Sequence, residues 1–183
     1  MRYALLLCIV ALAACKSAGG DTAIEKRTST RQMRDDALRD LYQRDPSAKA
    51  KVESAPGYAA FSNFGAKILL AGTGNGYGML VENKTNKETF MRMAELNVGL
   101  GLGVKDFRAV FVFHDAAVMK KFAESGWDFG GDAGAGAKKE GEGADAGAAA
   151  SAQGMSIYVL TKTGVELQAT VGGTKYWKDE DLN

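Results

Sequence analysis

The chain has 183 residues, about one domain, and 46% of them are apolar, which excludes a wholly disordered or fibrous protein. Its 23 basic and 22 acidic side chains nearly cancel, so no overall charge draws it to nucleic acid or to an acidic membrane. One histidine and two cysteines argue against a metal site of clustered nitrogen and sulfur ligands. We expect neither a metal nor a cofactor.

The N-terminus combines a positive charge, a short apolar run and a cysteine. Arg2 supplies a positive charge, and residues 3–14 form an apolar run. That run would span about 18 Å as a helix, too short for a hydrocarbon core of about 30 Å. It ends in Leu12, Ala13, Ala14 and Cys15, which resembles a lipobox. We therefore predict a signal peptide over residues 1–14, cut before Cys15. The alternative is an ordinary secretory signal that contains a cysteine.

Lipidation of Cys15 has consequences for the whole mature chain. In lipoproteins the cysteine sulfur carries diacylglycerol and its amino group carries an acyl chain such as palmitate. Cys8 leaves with the signal, so no thiol remains for a disulfide. Lys16 stands where an aspartate would favour inner-membrane retention in many lipoproteins. We predict an envelope protein anchored in the outer membrane and facing the periplasm.

Two helices are predicted after a tether over residues 15–28, whose later part is polar. The segment Ser29–Arg44 opens with a capping-box pattern completed by Gln32, and its apolar residues recur at helical spacing. The pair Asp45–Pro46 combines an N-cap with a proline at the first helical position. It predicts a second helix over Ser47–Ser54.

Short strands and one short helix are predicted beyond Gly57. Asp115 can cap a helix that reaches about residue 124 and stops at Gly126. The predicted strands cover residues 66–71, 77–82, 88–94, 109–113, 155–161 and 165–171. The predicted fold class is α+β: two N-terminal helices, then a strongly curved, glycine-rich, barrel-like antiparallel sheet with one short helix.

The predicted domain covers residues 29–183 and carries an insertion at about 132–154. Alanine and glycine fill 17 of the 25 positions from 130 to 154, where no branched or aromatic side chain could anchor a core. We interpret the segment as a surface insertion. Residues 144–152 alternatively form a weak alanine-rich helix.

Glycines alternate with larger residues in two places, which puts each series on one face of a strand. The glycines with candidate binding roles are Gly74, Gly76, Gly78, Gly99, Gly101 and Gly103. Such a face allows close packing of another element, the favoured interpretation, or forms a groove for an acyl chain or lipid headgroup. The spacing does not match a nucleotide-binding loop.

Few other residues are candidates for function. Arg31 and Arg34 lie in a segment rich in both bases and acids, which favours a solvated, salt-bridged face over a weak contact with anionic lipid. His114 stands alone next to Asp115 at the end of an apolar strand, where a structural role is favoured over a catalytic one. Asp128 and Asp132 flank a glycine turn, and turn capping is favoured there over calcium binding.

Several segments, taken in order, resemble the SYLF domain, a lipid-binding domain also found in actin-binding endocytic proteins. They are Ala55–Tyr58, Gly74–Val81, Gly99–Gly103, Phe111–Phe113, Val118–Phe122, Gly126–Ala133 and Gly172–Lys175. The resemblance covers roughly residues 52–177 and implies a non-enzymatic, lipid-binding function. The chain differs from the family in its mixed-charge N-terminal helices and its long insertion.

Two functions follow as expectations. The first is a lipid-anchored envelope protein with a lipid-binding domain, attached to the membrane through Cys15 and binding phospholipid as its ligand. The second is a structural or protein-interaction lipoprotein of the periplasm with no specific lipid ligand. A hydrolase ranks third, because no nucleophile–base constellation is recognisable.

Overall fold

The computed structural model describes residues 19–68, 71–98, 103–129, 154–160, 165–168 and 174–183. Within these ranges it contains three helices and eight strands, and the α+β fold class with a strongly curved sheet is confirmed. In chain order the elements are α1 Ala23–Arg44, α2 Ser47–Ser54, β1 Gly57–Ile68, β2 Ala71–Glu82, β3 Lys87–Val98, β4 Gly103–Phe113, α3 Ala116–Ser125, β5 Trp127–Asp128, β6 Met155–Leu160, β7 Val165–Gln168 and β8 Thr174–Lys178.

The first helix begins earlier than the sequence pattern indicated. Thr22 is its N-cap: the Thr22 hydroxyl accepts the Glu25 N–H at 3.2 Å, and the Glu25 carboxylate accepts the Thr22 N–H at 2.9 Å. The predicted cap at Ser29 is wrong, because Ser29 lies inside the helix and its hydroxyl donates to a carbonyl of the preceding turn. Residues 23–28 therefore belong to α1 rather than to a tether.

The other two helices agree with the predictions. At the start of α2 the Asp45 carboxylate accepts the Ser47 backbone N–H at 3.0 Å and the Ser47 hydroxyl at 2.6 Å. At the start of α3 the Asp115 carboxylate accepts the Ala117 N–H at 2.7 Å. Gly126 ends α3 with a φ of 74°, a left-handed conformation that favours glycine.

All strand pairs in the sheet are antiparallel, and the strand order is β5-β8-β3-β2-β1-β4-β6-β7. The rings of Phe111 on β4 and Tyr176 on β8 lie 5.2 Å apart, although three strands separate their own strands. In a flat sheet the same separation would be about 19 Å, at about 4.8 Å per strand. The sheet therefore curls strongly, and the aromatic side chains fill its concave side.

Each face of the sheet buries its own core. The inner face is the concave side, where α3 and β8 enclose a cluster that includes Phe61, Phe111, Phe122 and Tyr176. The outer face is the convex side, where α1 and α2 pack on β1, β4 and β6. Its buried residues include Met33, Ala37, Leu41, Val52, Val110 and Val112. Every buried side chain in the described ranges lies between residues 30 and 182, so residues 19–183 retain this core.

Several strands differ from the sequence prediction. β2 and β4 begin six residues earlier than predicted, at Ala71 and Gly103. β1 begins at Gly57, whereas a strand over residues 66–71 was predicted; the structure instead ends β1 at Ile68 and begins β2 at Ala71. β5, Trp127–Asp128, and β8, Thr174–Lys178, were not predicted at all. The predicted signal peptide, the predicted lipidation site Cys15 and nearly all of the predicted insertion lie outside the described residues.

Candidate functional site

Gly76 and Gly78 of β2 lie on the inner face, where other protein atoms take up the space beside them. Gly78 pairs with Phe61 across β1 and β2, and a Cβ added at Gly78 would overlap the Phe61 ring and the Ala60 carbonyl oxygen. A Cβ added at Gly76 would lie 2.6 Å from the Met93 Cγ. At these two positions the structure favours close packing over a ligand groove.

For the other candidate glycines, the structure gives at most the strand register. Gly74 is part of β2 and pairs with Gly65, and Gly103 opens β4 opposite Lys67. Gly99 and Gly101 lie outside the described residues.

Arg31 and Arg34 project from α1 towards one carboxylate on β3. Arg31 Nη2 lies 2.7 Å from Glu88 Oε2, and Arg34 Nη1 lies 3.2 Å from Glu88 Oε1. Arg34 also binds Asp35 at 2.8 Å, and the Arg31 guanidinium lies 5.3 Å from the centre of the Phe90 ring. The two arginines therefore join the helix to the sheet as a salt-bridged face.

The same contacts shift the pKa values of Glu88 and Arg31 in the directions that favour their charged forms. Hydrogen bonds from Arg31, followed by the charges of Arg31 and Arg34, lower the pKa of Glu88, while partial burial opposes them. The hydrogen bond to Glu88 also raises the pKa of Arg31. Because Glu88 offsets their charge, Arg31 and Arg34 present less free positive potential to an anionic surface than the sequence suggests.

A cleft of about 710 Å³ lies at the end of the same strand, within the usual range for small-molecule sites of about 300–1,000 Å³. β8 pairs with β3 over Met91–Glu95 and leaves the edge at residues 87–90 to other elements. α1 and α3 contribute residues to the cleft, and the C-terminal segment, residues 179–183, contributes others. We refer to this space as the β3 cleft.

The C-terminal segment is fixed against β3 and forms part of the cleft lining. The Asn183 side chain accepts the Phe90 N–H at 3.0 Å and donates to the Phe90 carbonyl oxygen at 2.8 Å. Arg92 binds Asp179 at 2.8 Å, and Arg27 Nε donates to the Leu182 carbonyl oxygen at 2.8 Å. These bonds join the segment to both α1 and β3.

Apolar and charged side chains both line the β3 cleft. Its apolar residues are Leu80, Phe90, Met119, Ala123 and Leu182. Its charged residues are Arg27, Arg31, Lys87, Lys120, Lys178, Glu82, Glu88, Glu124 and Glu180. In the part of the chain that the structure describes, Lys87, Lys120 and Glu124 form no ion pair. A ligand could therefore meet cations and a carboxylate that are not already committed to one another.

His114 has a structural contact. Its Nε2 lies 2.8 Å from the Ser156 hydroxyl, and its backbone N–H donates to the Gly154 carbonyl oxygen at 2.8 Å. The neighbouring Asp115 carboxylate caps α3. These bonds link the end of β4 to the start of β6.

The remaining candidates give limited information. In the strand register, Asp128 on β5 lies opposite Lys175 on β8. Asp132 lies outside the described residues. Across the described ranges, no group of three or more acidic, histidine or cysteine side chains is placed to hold a metal ion. None of the described helices is both long enough and apolar enough to cross a bilayer.

The comparisons with known proteins give one informative match. No protein-family model matches the chain. The chain is similar to "Beta cell expansion factor A" of Aeromonas veronii, with 37% identity over 161 residues, which cover 88% of this chain. It spans 60% of the length of that relative.

Proposed function

We propose that the protein is a non-enzymatic, lipid-anchored component of the bacterial envelope, with a SYLF-like domain that binds membrane lipid. The observation that carries the proposal is the position of Ile24, which is 74% exposed near the start of α1. Ile24, Arg27 and Arg31 are spaced three and four residues apart, so they share one side of the helix. An apolar side chain followed by cations suits the boundary between acyl chains and phosphates.

The sequence before α1 supports the same placement. Ile24 is only nine positions after Cys15, the expected site of lipidation. Fully extended, those residues span about 30 Å, so an acylated Cys15 would hold the start of α1 close to the bilayer. With Lys16 next to the anchor, we propose the periplasmic face of the outer membrane.

A protein-interaction lipoprotein is the second candidate. The ion pairs of Arg31 and Arg34 with Glu88 favour it, because they leave α1 with less unbalanced positive charge for lipid phosphates. The name of the Aeromonas relative refers to the expansion of beta cells. As part of the second candidate, we propose a related activity for this chain.

Sedimentation with lipid vesicles separates the two candidates. Residues 19–183, which lack Cys15, should sediment with vesicles of phosphatidylethanolamine and phosphatidylglycerol. Ile24→Ser should weaken binding by about tenfold to a hundredfold, because burial of an isoleucine side chain contributes about 1.5–3 kcal/mol. Ala23→Ser, at the neighbouring exposed position, is the matched control and should bind as the parent does. If the parent stays in the supernatant, the lipid-binding function is rejected.

The anchor requires its own test. Mass spectrometry of the full-length protein from the membrane fraction should find diacylglycerol on Cys15 at the new N-terminus. Cys15→Ser should abolish this modification. Recovery of the unsubstituted protein wholly in the soluble fraction would contradict the proposed anchor.

A further inference from the structure

The β3 cleft places charges of both signs around an apolar lining. Five basic and four acidic side chains contribute to it, so it does not resemble a site for a simple anion. Lys87, Lys120 and Glu124 are exposed and form no ion pair within the described ranges. A ligand that carries both a negative and a positive group would use both sets of charges.

We propose that the β3 cleft binds the headgroup of a zwitterionic phospholipid, in which a phosphodiester is joined to an ammonium group. This inference rests on the lipid binding proposed above and assigns it a site and a lipid class. The cleft is also large enough for the glycerol and the first part of an acyl chain beside the headgroup, at about 710 Å³.

The phosphate position is assigned to the cations from α1 and β3. Arg27 uses its Nε to bind the Leu182 carbonyl oxygen, which fixes the side chain and leaves the terminal guanidinium nitrogens as donors. Lys87 opens β3 and lines the same cleft. Guanidinium and ammonium groups bind phosphate oxygens through charge-assisted hydrogen bonds.

The ammonium position is assigned to Glu124 on α3. Lys120 lies one helical turn before it, yet the two side chains form no ion pair, so the carboxylate can accept hydrogen bonds from a ligand. Glu82 contributes a second carboxylate to the cleft. These carboxylates would attract the ammonium group of a zwitterionic headgroup, whereas a neutral headgroup end would gain no such attraction and an anionic end would be repelled.

The lipid character of the ligand follows from the apolar residues. Phe90, Leu182 and Met119 line the cleft beneath its charged rim. The same side of α1 that contributes Arg27 carries the exposed Ile24 one turn earlier. An acyl chain leaving the cleft towards Ile24 would remain next to the membrane surface.

The experiment is a calorimetric titration of residues 19–183 with short-chain lipids below their micelle concentrations. Dihexanoyl phosphatidylethanolamine should bind about tenfold more tightly than dihexanoyl phosphatidylglycerol, a difference of about 1.4 kcal/mol, because only the ethanolamine headgroup offers an ammonium group to Glu124. Lys87→Ala should weaken binding of both lipids. Glu124→Gln should weaken only the ethanolamine lipid and remove the preference.

Matched variants separate the cleft from general surface charge. Lys84→Ala removes an exposed lysine from the adjacent turn, and Glu53→Gln removes an exposed carboxylate from α2; neither residue lines the cleft. Both should bind both lipids as the parent does. Thermal unfolding checks that each variant retains the fold.

The other outcomes overturn the inference in distinguishable ways. Equal binding of inorganic phosphate would show an anion site and reject the zwitterionic ligand. Vesicle binding that is unchanged by Lys87→Ala and Glu124→Gln would reject the cleft while leaving the proposed function intact. Failure of the parent to bind any vesicle or short-chain lipid would reject both.

Discussion

The two faces of the sheet achieve burial by different means. On the inner face, the curvature of the sheet brings its own side chains into contact. The ring centres of Phe61 on β1 and Tyr176 on β8 lie 4.6 Å apart. The outer face depends on separate elements, because α1 and α2 cover aliphatic residues of β4 such as Val110 and Val112. The inner face therefore has little space beside Gly76 and Gly78, whereas the boundary between α1 and the edge of β3 contains an open cleft. Glycine in a curved strand is thus a poor guide to a ligand groove.

The largest expected effect is on the inner face. Phe122 of α3 is fully buried, and its ring lies 5.2 Å from that of Phe113 and 5.5 Å from those of Phe111 and Tyr176. Phe122→Ala should lower the free energy of unfolding by about 3–5 kcal/mol and weaken the near-ultraviolet circular dichroism. Urea unfolding measures the loss, and Phe122→Leu should cost less. Equal losses in the two variants would contradict an aromatic inner core.

A substitution on the outer face should leave the aromatic core intact. Leu41 is fully buried between α1 and the sheet, so Leu41→Ala should cost about 2–4 kcal/mol in urea unfolding. Near-ultraviolet circular dichroism should be retained, because the substitution lies on the opposite side of the sheet from the aromatic cluster. A collapse of that signal in the folded protein would show that the two cores are not independent.

Gly78→Ala tests the packing role of the glycine series. An added methyl group would overlap the Phe61 ring and the Ala60 carbonyl oxygen, so we expect a loss of about 1–3 kcal/mol in unfolding free energy. Gly19→Ala is the control, since its added Cβ would have ordinary contacts at 3.9 Å and beyond. A Gly78 variant that is as stable as the parent, but impaired in lipid binding, would restore the groove interpretation.

The smallest effect concerns the ion pairs between α1 and β3. Arg31 and Arg34 lower the pKa of Glu88, so this carboxylate stabilises the fold at pH values above the glutamate pKa of the unfolded chain, about 4.3. Glu88→Gln should cost about 1 kcal/mol at neutral pH, because the pair is partly exposed. The difference from the parent should shrink as the pH falls below about 4. Urea unfolding at pH 7 and pH 3 measures it, and a difference that grows in acid would contradict the assigned pKa direction.

Local sequence patterns were sufficient to predict those helices whose ends are set by neighbouring residues. α2 and α3 were predicted because Asp45, Asp115 and Gly126 act locally at their helix ends. The prediction made α1 too short because two capping patterns occur close together in the sequence. Only the contacts of Thr22 and Glu25 show which pattern caps the helix.

The strands that were missed depend on contacts distant in sequence. β1 has small residues such as Ala59 and Ala60 buried on opposite faces, so it lacks the alternation of a half-exposed strand. β8 alternates buried Thr174 and Tyr176 with exposed Lys175, but it has only five residues. β1 lacks an alternating pattern and β8 is too short, so neither could be identified as a strand without its partners.

The candidate site was the least predictable part. Arg31 was identified as a candidate, but its pairing with Glu88 requires α1 to lie across the end of β3. Lys87 and Glu124 have ordinary surface-like contexts in the sequence. Only the docking of α1, α3 and the C-terminal segment around one strand edge brings them to the same cleft.

Hydrogen–deuterium exchange with and without phosphatidylethanolamine vesicles tests the central claim most directly. The claim is that lipid binds at the strand edge and the start of α1 rather than on the glycine-rich inner face. With residues 19–183, vesicles should slow exchange at residues 24–31, 87–90 and 119–124, and leave residues 75–80 unchanged. Slowed exchange confined to residues 75–80, or no change anywhere in the chain, would contradict the account.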